Sequence, residues 1–414
     1  MNNIIDIPSI LAGEELISKL TILPEYDISI TQKCETERLM RLTDIYKIYV
    51  PSKMSQEIYS KLYLALMRSL QKKQSDLVML QQKNNFNMMQ QKSYHGGIIG
   101  GADSFSIIGS SGIGKTSSIF RAIDLISEKE VMEIRNPYTK IVPCLIVQCP
   151  FDSSTKGLML EILRKVDQLL ESKYYENAIK TKATTDVLIG CVSQVALNHI
   201  GLLIIDEIQN ICNSKNGKTL VGSITQLVNN SGISICFVGT PECKNFFYQA
   251  MHLARRTMGL EYSALSFDTE FILFCKIIFQ YQYMEERINI TDKIIEWLYE
   301  HSAGNVSIVV ALFHDAQEIG MLSGYKKLSI ELLEMAYKQR MSVLHGYIDN
   351  KPTNKVNCAD KKKKFTIPPE SNDVNNSMSE ETKISDIVQI SKEREIDIVS
   401  LLNEHHLIAS EVPL

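Results

Sequence analysis

The chain has 414 residues, 44% hydrophobic and 22% charged, with a formal charge of −4. That length predicts roughly two to three domains, and the balance excludes collagen-like, fully disordered and disulfide-scaffold chains as well as any bulk polycation. Nucleic-acid contact would therefore need a local basic strip, and nine scattered cysteines without a CxxC pair suggest neither a zinc knuckle nor a disulfide framework.

The first 50 residues are mixed, punctuated at Pro8 and Pro24, and lack the basic start and apolar core of a secretory signal. Over 55–83, Ile58, Leu62, Ala65, Leu66 and Leu70 recur at helical spacing, with Ser55 as a candidate cap. The extension 1–92 is thus expected to carry one amphipathic helix. From 93 to 265 short apolar strands alternate with helical segments: strands at 104–109, 140–150, 201–207 and 233–240, helices from 115 and over 156–171. That alternation predicts an α/β core, a parallel sheet flanked by helices on both faces.

The apolar stretch FILFCKIIF is too short to cross a bilayer and carries Lys276, so no membrane partner is expected. Residues 266–345 read as a small all-helical lid. One helix bears Trp297 and ends at Gly304, a second runs over 306–319, and a third starts near 329. Residues 346–385 are polar and lysine-rich and predict a flexible, disordered linker. Aliphatic residues return over 386–414, which reads as a docking segment. The expectation is a soluble cytoplasmic protein.

Gly109-Ser110-Ser111-Gly112-Ile113-Gly114-Lys115-Thr116 matches GxxxxGK followed by Ser or Thr, between a predicted strand and a predicted helix. Glycines let the backbone curl until its N–H groups point at phosphate oxygens, and the helix N-terminus adds a positive dipole end. Lys115 would reach the β- and γ-phosphates, and Thr116 would ligate magnesium. About 90 residues on, an aliphatic strand ends in Asp206 and Glu207, suited to hold magnesium and to polarise the attacking water, at the strand end where a chain turn lets both reach one site. Together the two motifs define a nucleoside-triphosphatase binding ATP and Mg2+. Thr240 ends the fourth strand, where it can contact the γ-phosphate or start a helix at Pro241. Arg255 and Arg256 are either a solvated pair or an arginine finger inserted into a neighbouring subunit's site.

These residues together resemble AAA+ ATPases, and more narrowly the TnsC/TniB family of transposon target-selection ATPases, over roughly 38–340. Arg38, Leu39 and Ile48-Tyr49-Val50-Pro51 look like the family's lead-in segment. Gln148 to Leu158 with Val166 to Leu170 look like its second-strand exit and helix, and Gly239-Thr240-Pro241 like its sensor turn. Arg255 and Arg256 sit where members place the finger. The resemblance implies ATP-dependent rings or helical filaments of this chain on double-stranded DNA, without sequence specificity, linking a target-selector protein to the transposase in the bacterial cytoplasm.

One departure concerns the lid. Many AAA+ lids carry an arginine at the start of the second lid helix, whereas Ala303 to Ser307 and the helix to 319 hold no Lys or Arg. Lid contact would then fall to backbone, Asn305 or Ser307. Candidate DNA contacts are the loop Ser153, Ser154, Thr155 and Lys156, with a plain helix cap as the alternative, and Lys129, Arg135 and Lys140 around a second loop. Lysines 361–364 can add electrostatic affinity. Two other functions fit the motifs: a replication initiator or helicase loader, and a slow nucleotide-switch scaffold.

Overall fold

The computed structural model describes residues 7–73, 75, 80–81, 104–135, 138–213, 215–244 and 259–342. Three N-terminal helices, α1 (Gly13–Leu20), α2 (Glu35–Leu42) and α3 (Lys53–Lys73), precede the core. The core is β1 (Phe105–Gly109), α4 (Lys115–Ile126), β2 (Met132–Arg135), β3 (Tyr138–Gln148), α5 (Thr155–Leu170), α6 (Tyr174–Lys180), α7 (Thr185–His199), β4 (Ile200–Asp206), α8 (Gly217–Ser231), β5 (Ser234–Gly239) and β6 (Leu260–Tyr262). Four more helices follow: α9 (Thr269–Ile278), α10 (Asp292–Ser302), α11 (Val306–Leu322) and α12 (Ile330–Arg340).

The sheet runs β2-β3-β4-β5-β1-β6. The four strands read from the sequence form its centre and pair in parallel, Gln148 opposite Asp206 and Ile107 opposite Val238. The sheet is mixed rather than purely parallel, because β2 folds back antiparallel on β3 with Glu133 opposite Lys140. The edge strands β2 and β6 escaped the sequence reading; at four and three residues they are too short for a periodic signal.

Side-chain alternation divides the sheet between two cores. Leu203, Ile205, Ile235 and Phe237 face α5, α7 and α8, while Leu202, Ile204, Cys236 and Val238 face α1, α3 and α4. Both faces are covered, which explains why these strands read as continuous apolar runs. The helices α6 and α7 fill 174–199, a stretch the sequence reading left unassigned.

Ser55 is not the cap of α3. It lies buried inside the first turn, where its N–H donates to Ser52 Oγ at 3.4 Å and its hydroxyl accepts from Ser52 N–H at 3.1 Å. Ser52 holds the capping position, and the reciprocal pair resembles a capping box. The N-terminal residues also do not form one layer. The helices α1 and α3 pack on the sheet, whereas Leu42 and Ile45 join a third core built by α9 to α12. The stretch FILFCKIIF forms α9 of that core, so the helical part has four helices and a borrowed N-terminal flank. Trp297 is partly buried there and stacks on His301 at 3.8 Å. No helix among the described residues is long and apolar enough to cross a membrane. The expected linker and docking segment lie outside the described residues.

Candidate nucleotide-binding site

Parallel pairing brings the C-terminal ends of β1, β4 and β5 to one edge of the sheet. Open α/β sheets bind ligands at that edge. The strand β1 is buried at every position and leads directly into the glycine-rich loop. Gly112 and Gly114 adopt φ values of 80° and 93°, a region that side chains disfavour. A Cβ on Gly112 would lie 2.3 Å from Ser307 Oγ, so this glycine also lets another element approach. Gly114 precedes α4, whose free first-turn N–H groups open onto the loop. Lys115 Nζ folds back to donate to the carbonyls of Gly109 at 2.7 Å and Ser110 at 2.9 Å. Burial pulls the Lys115 pKa below its usual value, opposed by the carboxylates of Asp206 and Glu207.

Asp206 is buried at the end of β4. Its Oδ2 accepts from the Thr116 hydroxyl at 3.2 Å and its Oδ1 accepts from Glu207 N–H at 2.8 Å. A hydroxyl and a carboxylate this close form a hard-oxygen donor set, which fits Mg2+. Glu207 takes φ 56°, and this left-handed turn brings it into the cleft beside Asp206. Lys115, Thr116, Asp206, Glu207 and Thr240 all line one cleft of about 260 Å³.

Gln209 also lines that cleft and was missed by sequence reasoning. Its Nε2 donates to Glu207 Oε2, and its Oε1 accepts from Thr240 N–H at 3.2 Å. The amide therefore ties the strand-end carboxylate to the turn after β5. The only signal in the sequence was an amide two residues beyond the carboxylate pair. Thr240 lines the cleft, and its carbonyl accepts from Cys243 N–H at 3.2 Å to start a short helical turn. Burial pushes the Cys243 thiol up to about 12, so it stays protonated at neutral pH.

A second cleft of about 320 Å³ adjoins the first and shares Gly112, Gly114 and Ser307 with it. Its walls are Ile48, Tyr49, Val50 and Pro51 on one side and Leu265, Phe274, Val306 and Val310 on the other. An apolar slot beside a phosphate loop has the character of a pocket for a planar base. Two hydrogen bonds join the start of α11 to the loop. Asn305 Nδ2 donates to Ser111 O at 2.9 Å, and Ser307 N–H donates to Gly112 O at 3.2 Å.

Among the described residues, the candidate DNA contacts lie at the start of α5, on β3 and beyond α4. Ser154 Oγ accepts from Gly157 N–H at 3.0 Å as the cap of α5, and Thr155 is buried. Lys156 is exposed next to them, and exposed Lys140 lies on β3. Lys129 is exposed beyond α4. The side chain of Arg135, the pair Arg255 and Arg256, and lysines 361–364 lie outside the described residues.

Residues 98–247 match the family model described as AAA domain, a domain of nucleotide-binding, nucleotide-hydrolysing ATPases. The observed architecture is that of an AAA+ fold. Among solved structures, the chain is similar to the Drosophila ORC bound to DNA, at 12% identity over 84% of this chain and 74% of that one, with a TM-score of 0.45. It is similar to the Aeropyrum pernix ORC1 protein in complex with DNA, at 14% identity over 57% and 59%, TM-score 0.40. A Walker-type ATPase of Pyrococcus abyssi is 11% identical over 60% and 70%, TM-score 0.35. No curated protein matches the chain.

Proposed function

We propose that this chain is an ATPase that assembles with ATP on double-stranded DNA and links a target-selector protein to a transposase. The observation that carries the enzymatic half is the junction of loop and strand end, where Thr116 meets Asp206 at 3.2 Å with Glu207 and Lys115 in the same cleft. The DNA and transposition half is supported by the resemblance of the segments around Arg38, Val50, Gln148 and Thr240 to the TnsC/TniB family.

The loop amides of Gly109 to Thr116 bind the phosphates, and Lys115 swings from its two backbone acceptors onto the β- and γ-phosphates. Thr116 and Asp206 would hold magnesium, which when bound would neutralise phosphate charge. Glu207 accepts the proton of the attacking water as its oxygen bonds to the γ-phosphorus and ADP leaves. Thr240 contacts the γ-phosphate from the end of β5. Arg255 or Arg256 completes a neighbour's site, and residues 386–414 dock on the transposase.

Electron microscopy with a non-hydrolysable ATP analogue and duplex DNA tests this reading. Rings or filaments on DNA of unrelated sequences are expected. A monomer bound to one duplex sequence would overturn the transposition half and favour a replication initiator.

A further inference from the structure

Tyr49, Ser55 and Ser118 bring three buried or half-buried hydroxyls together beneath the phosphate loop. Their geometry restricts which of them donate and which accept. Ser118 Oγ donates to Gly114 O at 2.8 Å, so it must accept from its neighbours. Tyr49 has one proton and lies 2.9 Å from Ser118 Oγ and 2.8 Å from Ser55 Oγ. Ser55 Oγ already accepts from Ser52 N–H at 3.1 Å. Tyr49 O–H can donate to Ser118 directly or to Ser55, whose Oγ lies 3.2 Å from Ser118 Oγ; by either route the chain of hydroxyls runs from Tyr49 through Ser118 to the Gly114 carbonyl.

The two ends of that chain lie at different parts of the nucleotide site. Tyr49, Val50, Pro51 and Ser52 form one wall of the apolar slot. Gly114 closes the phosphate loop at φ 93° and precedes α4. A base seated in the slot would meet the segment that carries Tyr49. The Gly114 carbonyl at the other end is held back along α4, which leaves the loop's N–H groups to phosphate.

We propose that Tyr49 is a positioning residue that couples occupancy of the base slot to the geometry of the phosphate loop. Tyr49 touches no phosphate; it acts through Ser118 on Gly114. The proposal rests on the nucleotide reading above. It gives that site a reason to prefer a complete nucleoside triphosphate over bare triphosphate.

The test compares binding of MgATP and of inorganic tripolyphosphate by calorimetry to the full chain, to Tyr49→Phe and to Ser118→Ala. Tyr49→Phe keeps the ring and removes one hydroxyl; Ser118→Ala cuts the same relay at its other end and serves if the first variant folds poorly. Both are expected to weaken MgATP by about fivefold, the worth of one net hydrogen bond, and to leave tripolyphosphate unchanged. Equal loss for both ligands, or loss for neither, overturns the coupling. Failure of the unsubstituted chain to bind either ligand, with Lys115→Ala no different, overturns the nucleotide reading itself and the coupling with it.

Discussion

Asn305 ties the start of α11 to the phosphate loop, and its removal has a size that the structure sets. The residue is buried at 2% exposure and uses three bonds. Its Oδ1 accepts from Ser307 N–H at 3.1 Å, which caps α11, and from Ser307 Oγ at 3.0 Å. Its Nδ2 crosses to Ser111 O at 2.9 Å in the phosphate loop. Asn305→Ala loses the cap, worth ~1 kcal/mol. It also loses the crossing bond, worth another ~1 kcal/mol net. If both act on docking of the lid over the loop, the closed state falls by ~2 kcal/mol, or about 30-fold in nucleotide affinity when closure limits binding. Fluorescent-ATP titration beside a thermal melt separates the two contributions. The cap loss lowers the melting temperature in any case, whereas the affinity falls only if these bonds hold the lid over the loop. A variant that melts earlier yet binds ATP as tightly as the parent would refute lid contact through Asn305.

Replacing Glu207 by Gln should leave ATP binding intact and lower turnover by ~10²-fold or more, since an amide cannot take the water's proton; phosphate-release kinetics check it, and a parental rate rules Glu207 out. Lys115→Ala should abolish binding itself, read by the same titration. Gln209→Ala frees the Glu207 carboxylate from its tie to the Thr240 amide, so kcat should change several-fold while KM holds; unchanged kcat means the amide is only structural. Binding to duplex DNA should require ATP and fall steeply between low and physiological salt, as counterion release demands; filter binding across salt decides, and a flat curve argues against phosphate contacts. Truncation after Tyr347 should keep ATP-dependent DNA assembly and lose transposase recruitment in a pull-down; loss of ATP binding instead would place the tail in the ATPase.

The sequence alone determined the features that are local in the chain. A glycine-rich loop has to follow a strand and open a helix, so Gly109 to Thr116 was legible as one uninterrupted pattern, and so was the aliphatic strand ending at Asp206. Four central strands showed as apolar runs because both faces of the sheet are covered. The tertiary structure decided what depends on distant segments meeting. Sequence periodicity does not tell which core a helix joins, so the division of the N-terminal helices between the sheet and the lid emerged only from packing. The reach of Gln209 to Thr240 spans 31 residues, that of Asn305 to Ser111 spans 194, and that of Tyr49 to Ser118 spans 69. None of these pairs has a spacing to recognise. Each forms because parallel strands align their ends at one edge and the lid core closes over it, which turns isolated polar residues into the walls of a single site.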